Sequence, residues 1–166
     1  MNIKRMTMTI LLALLMAGAC FSQTVETPKY FHLDFVVKEL EGGKVTNSRA
    51  YGMTIATVGA TTNSSIRTGN RVPVSSGGGG QWQYIDVGTN IDCRSAKEVP
   101  SGLALNVTAD ISGAATEQGA ANPVIRQTKW GSDVVVTLRK ATVIFSSDDP
   151  SSKRQMQLEL TATPIT

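Results

Sequence analysis

Residues 103–112 read LALNVTADIS, and apolar side chains stand at every second position of this stretch. A period of two is typical of a β-strand that has one buried face and one face in water. Strands of a parallel sheet covered on both faces are apolar throughout, so the alternation also indicates antiparallel pairing. The apolar positions are Leu103, Leu105, Val107, Ala109 and Ile111.

The same alternation recurs near both ends of the chain, at Phe31–Val37 and Met156–Ala162. Glycine and proline between the periodic segments mark chain reversals at Glu41–Lys44, Pro100–Gly102 and Asp148–Pro150. We therefore predict a single all-β domain, an antiparallel β-sandwich or partial barrel of eight or nine strands. Shorter strands are expected at Arg49–Thr57, Ser65–Val74, Gln81–Cys93, Val124–Trp130, Asp133–Arg139 and Thr142–Ser146, with an irregular connection at Gly113–Asn122.

Residues 1–22 have the features of a secretory signal peptide. Lys4 and Arg5 form a basic start, residues 9–16 (TILLALLM) are apolar, and residues 17–19 (AGA) supply a small-residue cleavage signal. Cleavage is expected after Ala19 or after Ser22, and residues 23–166 are then the β domain. The apolar run is about half of the roughly 20 residues that a membrane-spanning helix needs, so we expect no transmembrane helix in the mature chain.

Cys20 follows the AGA segment directly, which resembles the processing signal of bacterial lipoproteins, where such a cysteine is acylated. A leucine is expected in that signal where Ala17 stands, so cleavage without a lipid stays an alternative. If Cys20 is kept unmodified, it can form a disulfide with Cys93, because an exported protein meets an oxidising compartment. Otherwise Cys93 is a lone thiol, which proteins more often bury than use for reaction.

Charge excludes two classes of partner. The formal net charge is +3, and removal of Lys4 and Arg5 with the signal peptide leaves 3 − 2 = +1. A nearly neutral chain without a basic stripe is not expected to bind nucleic acid. The sequence also lacks the cationic face with which peripheral proteins bind a lipid surface.

Catalytic chemistry has little support in the sequence. His32 is the only histidine, and we expect it to face solvent on the polar side of its strand. A calcium site at Asp148 and Asp149 is not expected, because no spaced series of oxygen ligands follows them. The glycine run 77–80 is not a phosphate-binding loop, since neither a Lys-Ser/Thr pair nor a helix follows it. We predict no enzyme activity, no metal and no cofactor.

Five segments of the chain follow one another in an order that is typical of one family. They are a Gly-x-x-Val-Pro segment, a Tyr-x-Asp-Val-Gly segment, an alternating strand, a Pro-Val-Ile segment and a closing Thr-Pro-Ile. In this order they resemble the C-terminal homology domain of the secretins, the outer-membrane channel subunits of bacterial type II and type III secretion and type IV pilus systems. The residues that carry the resemblance are Gly69, Val72, Pro73, Tyr84, Asp86, Val87, Gly88, Pro123, Thr163 and Pro164.

The resemblance covers Phe35 to Ile165 and implies an exported protein in the periplasm or outer membrane of a Gram-negative bacterium. It implies a role in self-association or in docking to an envelope or secretion assembly. It also aligns the glycine run 77–80 with the secretin gate loop, and a flexible hairpin connection is the alternative for this run. The periplasmic modules of secretins do not fit ahead of Lys29, and the long stretch that secretins carry before their final strand is reduced to a few residues. We therefore expect a short, stand-alone relative of the secretin domain.

Two other functions remain as alternatives. The chain can be a soluble periplasmic or surface β-sandwich that binds a peptide or a glycan, with Trp82, Tyr84 and Trp130 as the candidate contact residues. The other alternative is a hydrolase, for which His32 is the only residue that points to such chemistry.

Overall fold

The alternating segments pair as two antiparallel sheets in a computed structural model, which describes residues 27–59, 62–75, 81–115, 122–149 and 153–165. The first sheet has the strand order β2-β1-β8-β7, and the second has the order β3-β4-β5-β6. The strands are β1 (Tyr30–Glu41), β2 (Lys44–Ala56), β3 (Asn63–Ser75), β4 (Trp82–Val99), β5 (Gly102–Ala115), β6 (Val124–Val136), β7 (Thr142–Asp148) and β8 (Arg154–Ile165). The prediction of an all-β, antiparallel domain is confirmed.

The described residues form eight strands, because two segments that were expected as separate strands form one continuous strand. Val124–Trp130 and Asp133–Arg139 were expected as separate strands around Gly131 and Ser132. In the structure β6 runs without a register shift from Val124 to Val136, and Gly131 pairs with Thr108 on β5. A glycine and a serine can therefore stand inside a strand when the neighbouring strand holds them in the ladder.

The core lies between the two sheets and is built from the predicted alternation. On β1, Phe31, Leu33, Phe35 and Val37 point inward, and they are at most 1% exposed. The second sheet covers them with the inward rows of β4 and β5. The buried residues of β4, β5 and β8 include Thr89, Ile91, Cys93, Ala96, Leu103, Leu105, Val107, Ala109, Ile111, Leu158, Leu160 and Ala162.

Side-chain contacts close the two long sides of the sandwich. On one side, the rings of Trp130 on β6 and Phe145 on β7 lie 5.4 Å apart. On the other side, the hydroxyl of Ser64 on β3 donates to the carbonyl oxygen of Thr54 on β2. Contact is thus made from β2 to β3 and from β6 to β7, which stacks the sheets strand over strand.

The turns follow the expected chemistry where they are described. Gly42 and Gly43 join β1 to β2 with φ angles of 57° and 80°, which suit the tight turn that matches strand twist. Pro100 and Ser101 form the turn between β4 and β5. The expected connection Gly113–Asn122 is partly wrong, because residues 113–115 belong to β5. Residues 116–121 and 150–152 lie outside the described residues.

The N-terminal predictions fall outside the structure. Residues 1–26, which include the expected cleavage sites and Cys20, are not among the described residues. The part of the chain that the structure describes contains no helix that is long and apolar enough to cross a membrane.

Candidate functional site

The candidate site lies where β3 and β4 separate from β5 and β6 of the second sheet. The two strands pair over their whole length, from Asn63 opposite Arg94 to Ser75 opposite Trp82. The pairing of β4 with β5 begins only at Thr89. Residues 70–75 and 82–87 therefore form a two-stranded segment, which we call the hairpin extension.

Two glycines mark the base of the hairpin extension. Gly69 pairs with Gly88 across the two strands. A Cβ on Gly88 would overlap the carbonyl oxygen of Thr68 and lie 2.5 Å from the Cα of Gly69. A Cβ on Gly69 would overlap the carbonyl oxygen of Val87. The backbones can approach this closely only because neither residue has a side chain.

A serine side chain ends the ladder between β4 and β5 at the same level. The N–H of Gly88 donates to the hydroxyl oxygen of Ser112 at 3.0 Å. The Gly88 N–H thus has an acceptor on β5, although no backbone carbonyl of β5 pairs with it. The hairpin extension therefore leaves the sheet at Gly88 without an orphaned amide at its base.

The charges of the hairpin extension are confined to its base. Arg71 Nε donates to Asp86 Oδ1 at 3.0 Å, and both side chains are at least three-quarters exposed. An exposed ion pair of this kind contributes little to stability, at most about 1 kcal/mol. Between these two residues, the sequence 72–85 contains no Asp, Glu, Lys, Arg or His.

Both faces of the hairpin extension carry apolar side chains beside polar ones. On one face Tyr84 lies opposite Pro73, and Trp82 lies opposite Ser75. Tyr84 is 66% exposed and Trp82 is 60% exposed. The other face carries the exposed Ile85 and the partly covered side chains of Val72, Val74 and Val87. Large exposed apolar side chains grouped on one element are typical of an interaction surface rather than of an isolated strand.

An asparagine ties the end of the hairpin extension to the β5–β6 end of the same sheet. The Ser75 N–H donates to Asn122 Oδ1 at 2.7 Å, and Asn122 Nδ2 donates to the Ser75 carbonyl oxygen at 3.1 Å. The amide side chain thus pairs with both backbone groups of one edge residue, as a neighbouring strand would. This contact fixes the direction in which the hairpin extension leaves the sheet.

The structure brings most of the predicted motif residues together. Pro123 follows Asn122 and so lies next to the end of the hairpin extension. Thr163 and Pro164 lie elsewhere, because they pair with His32 and Phe31 at the opposite end of the sandwich. The motif residues in the hairpin extension or at its base are Gly69, Val72, Pro73, Tyr84, Asp86, Val87 and Gly88.

Sequence reasoning missed three residues of this site. Arg71 was available from the sequence, because the register that pairs Gly69 with Gly88 also places Arg71 opposite Asp86. Ser112 and Asn122 had no such signal, since their partners are backbone groups of a distant strand. Among the three candidate aromatics, Trp82 and Tyr84 are exposed, whereas Trp130 packs against the core.

The residues that the sequence suggested for catalysis or metal binding lie outside the hairpin extension. His32 Nε2 lies 3.1 Å from Asp34 Oδ1 on the outer face of β1, and its side chain is 45% exposed. Asp148 Oδ1 accepts a hydrogen bond from Gln155 Nε2 at 3.0 Å. Within the described ranges, no group of three or more His, Cys, Asp or Glu side chains could hold a metal ion.

Cys93 is a free cysteine in the core between the sheets. Burial, followed by the charge of neighbouring Asp92, raises the pKa of its thiol from 9.0 to about 12. Burial favours the neutral thiol, because the thiolate would lose its hydration. The thiolate is the reactive form, so this cysteine is protected from reaction on two grounds.

Comparison with known proteins finds the same architecture in secretins. The chain is similar to the type II secretin GspD of enteropathogenic Escherichia coli, with a TM-score of 0.56, 10% identity, and coverage of 95% of this chain and 74% of that one. It is also similar to the secretin of a pilotin–secretin AspS–GspD complex of ETEC, with a TM-score of 0.54, 10% identity, and coverage of 94% and 53%. At this identity the likeness shows the fold, and it confirms that the domain is secretin-like in fold.

A third similar structure is the Klebsiella pneumoniae type II secretion system outer membrane complex of PulD, PulS and the PulC HR domain. The TM-score is 0.53 at 9% identity, with coverage of 96% of this chain and 43% of that chain. No family model matches the sequence, and no curated protein matches it either.

Replacing Gly88 with alanine is expected to destabilise the hairpin extension. The new Cβ cannot be placed without moving the backbone of Thr68 or Gly69, so we expect a loss of about 2–3 kcal/mol in the free energy of unfolding. Urea denaturation of the two proteins measures the difference. Gly113→Ala is the matched control, because a Cβ there meets nothing within 4 Å. Equal stability of Gly88→Ala and Gly113→Ala would contradict the close contact.

Cys93 is expected to be unreactive in the folded protein. In a Cys20→Ser variant it is the only thiol, and a disulfide reagent at pH 8 should modify it at least about 100-fold more slowly than in urea. Because the folded-state pKa lies above the unfolded value, the stabilisation from the neutral thiol holds below pH 9 and is lost as the pH rises towards 12. Fast labelling of the folded variant would show that Cys93 is accessible.

Proposed function

We propose that this protein is an exported, non-enzymatic envelope protein that associates through its secretin-like domain with further copies of itself or with a secretion assembly. The observation that carries the proposal is the hairpin extension, whose uncharged end presents Trp82 and Tyr84 to solvent. Tryptophan and tyrosine bury a large apolar area in an interface and are enriched among the residues that contribute most to binding energy.

The open edges of the sheets support association. Edge strands present unpaired backbone groups, and natural proteins usually shorten or distort them. Among the described strands, β7 is short and its pairing has a register shift. β6 has thirteen residues without a register shift or a proline, so it is the edge best suited to accept a further strand.

Two arguments that are independent of the hairpin extension support a position in the envelope. The first is the basic, apolar and small-residue pattern of residues 1–22. The second is the fold, since the similar structures include outer-membrane complexes of secretion systems. The proposal includes three alternatives for the mature N-terminus: a lipid-modified Cys20, an unmodified Cys20 after cleavage behind Ala19, and Gln23 after cleavage behind Ser22.

A second candidate function is the binding of a glycan or a peptide by the same aromatic face. Trp82 and Tyr84 stand two residues apart on one face of β4, and Pro73 lies beside them. Flat, exposed aromatic rings can stack on a sugar ring as well as on a protein partner. Titration with oligosaccharides, monitored by Trp82 fluorescence, distinguishes this function, because association needs no added ligand.

The replacement of Trp82 and Tyr84 with serine is expected to weaken association. Sedimentation of the purified protein should show multimers whose dissociation constant rises at least about tenfold in the double variant, because the central apolar contacts are removed. Val45→Ser is the matched control, since Val45 is also exposed but lies on β2. The proposal is contradicted if the purified protein is strictly monomeric and pulls down no envelope component.

Export is expected to be visible in the mass of the mature protein. Fractionation of the native host should place the protein in the periplasm or the outer membrane. Mass determination then separates a start at Cys20, a start at Gln23 and a lipid-modified Cys20. A cytoplasmic protein with residues 1–22 intact would contradict this part of the proposal.

A further inference from the structure

The inward-facing row of the first sheet changes from apolar to charged at one end of the sandwich. On β1, Val37 is buried, whereas Glu39 is only partly buried and pairs with Met156 of the inward row of β8. The buried Leu40 follows at a register shift. Arg49 on β2 lies opposite Val37, and Arg154 on β8 lies opposite Glu41. Charged side chains are not stable between packed sheets, so the sheets cannot close over this end.

The second sheet leaves room for these charges. On β5 the buried Ile111 is followed at the next inward positions by Gly113 and Ala115. Thr128 and Arg126 on β6 lie opposite Ile111 and Gly113. The result is a cleft of about 830 Å³ between the two sheets. This volume is within the range of about 300–1,000 Å³ that is typical of ligand sites.

Guanidinium groups from both sheets line the cleft. Arg49 Nη2 donates to Glu39 Oε1 at 2.5 Å, and Arg126 Nη1 donates to Asp149 Oδ2 at 3.4 Å. A guanidinium has five N–H donors in a planar fork, so one carboxylate does not saturate it. The Nε of Arg49 is buried and has no acceptor among the described residues. The arrangement favours a ligand with a carboxylate, because each guanidinium has N–H donors beyond those that its acidic partner accepts.

The lining of the cleft is not purely cationic. Glu41 and Asp148 also line it, so a small anion with several negative charges would meet repulsion beside the arginines. The lining includes the apolar side chains of Ile111 and Met156 as well. A ligand that matches all three features has a carboxylate, an ammonium group and small apolar side chains.

We propose that this cleft binds a short zwitterionic peptide, with Arg49 and Arg126 holding its carboxylate and Glu41 and Asp148 facing its ammonium group. The site lies between the sheets and does not use Trp82 or Tyr84. Its occupation therefore does not depend on the association proposed above, and either proposal can fail without the other.

Titration with tri-alanine tests the proposal. We expect saturable changes in the ¹⁵N–¹H spectrum of the purified protein at Gly113, Ala115 and Thr128, which line the cleft. Arg126→Gln or Arg49→Gln should weaken binding about tenfold or more, which corresponds to the loss of one charge-assisted contact. Arg71→Gln is the matched control, because Arg71 is an exposed arginine of the hairpin extension outside the cleft.

The blocked peptide, N-acetyl-tri-alanine amide, lacks both charges and should not bind. The proposal is overturned if tri-alanine causes no saturable change in the spectrum. It is also overturned if both arginine variants have well-dispersed spectra and bind tri-alanine with unchanged affinity. Succinate that binds as tightly as tri-alanine also overturns it, since the cleft would then select anions rather than zwitterions.

Discussion

The backbones of β3 and β4 touch where Gly69 faces Gly88, and this contact determines the shape of the second sheet. On one side of the contact, β4 is bound to both β3 and β5 and covers the core with Ile91 and Cys93. On the other side, β4 is paired with β3 alone. A side chain at either glycine would force the backbones apart, so the close approach and the departure of the hairpin extension depend on the same two residues.

The two candidate sites lie at the same end of the sandwich for a related reason. The regular buried rows of β1 and β5 end at Val37 and Ile111, and beyond them Leu40 is the one buried hydrophobic side chain that the structure describes on these two strands. The strands nevertheless continue, which creates the cleft between the sheets and the hairpin extension beside it. At the opposite end, Tyr30 pairs with both Ala56 and Ile165, and the buried rows reach almost to the strand ends. The buried rows thus extend further towards this end than towards the end with the two candidate sites.

The sequence predicts the parts of the structure that depend on local periodicity. The alternation at Leu103–Ile111 and at Phe31–Val37 is sufficient to place the core faces of β5 and β1, because a strand presents every second residue to the same side. It is not sufficient to decide whether Gly131 ends a strand. That depends on Thr108 of the neighbouring strand, which no local pattern identifies.

The candidate site is only partly predictable, for a similar reason. The motif around Gly69 and Gly88 places a hairpin in the sequence, but the exposure of Trp82 and Tyr84 depends on where β4 leaves β5. Aromatic side chains on strands lie more often in the core than on the surface, and this tendency is right for Trp130 but wrong for Trp82 and Tyr84. The bonds of Asn122 and Ser112 join residues that are 47 and 24 positions away from their partners, and such contacts are set by the folded sheet.

The most direct test of this account is the proton–proton contact between Gly69 and Gly88 in the NMR spectrum of the protein. The account predicts a strong nuclear Overhauser effect between the Hα protons of these two glycines, because the Hα of Gly88 that takes the place of a Cβ points at the Cα of Gly69. The absence of this effect, with strong contacts from Gly88 to another residue of β3 instead, would contradict the register and the hairpin extension built on it.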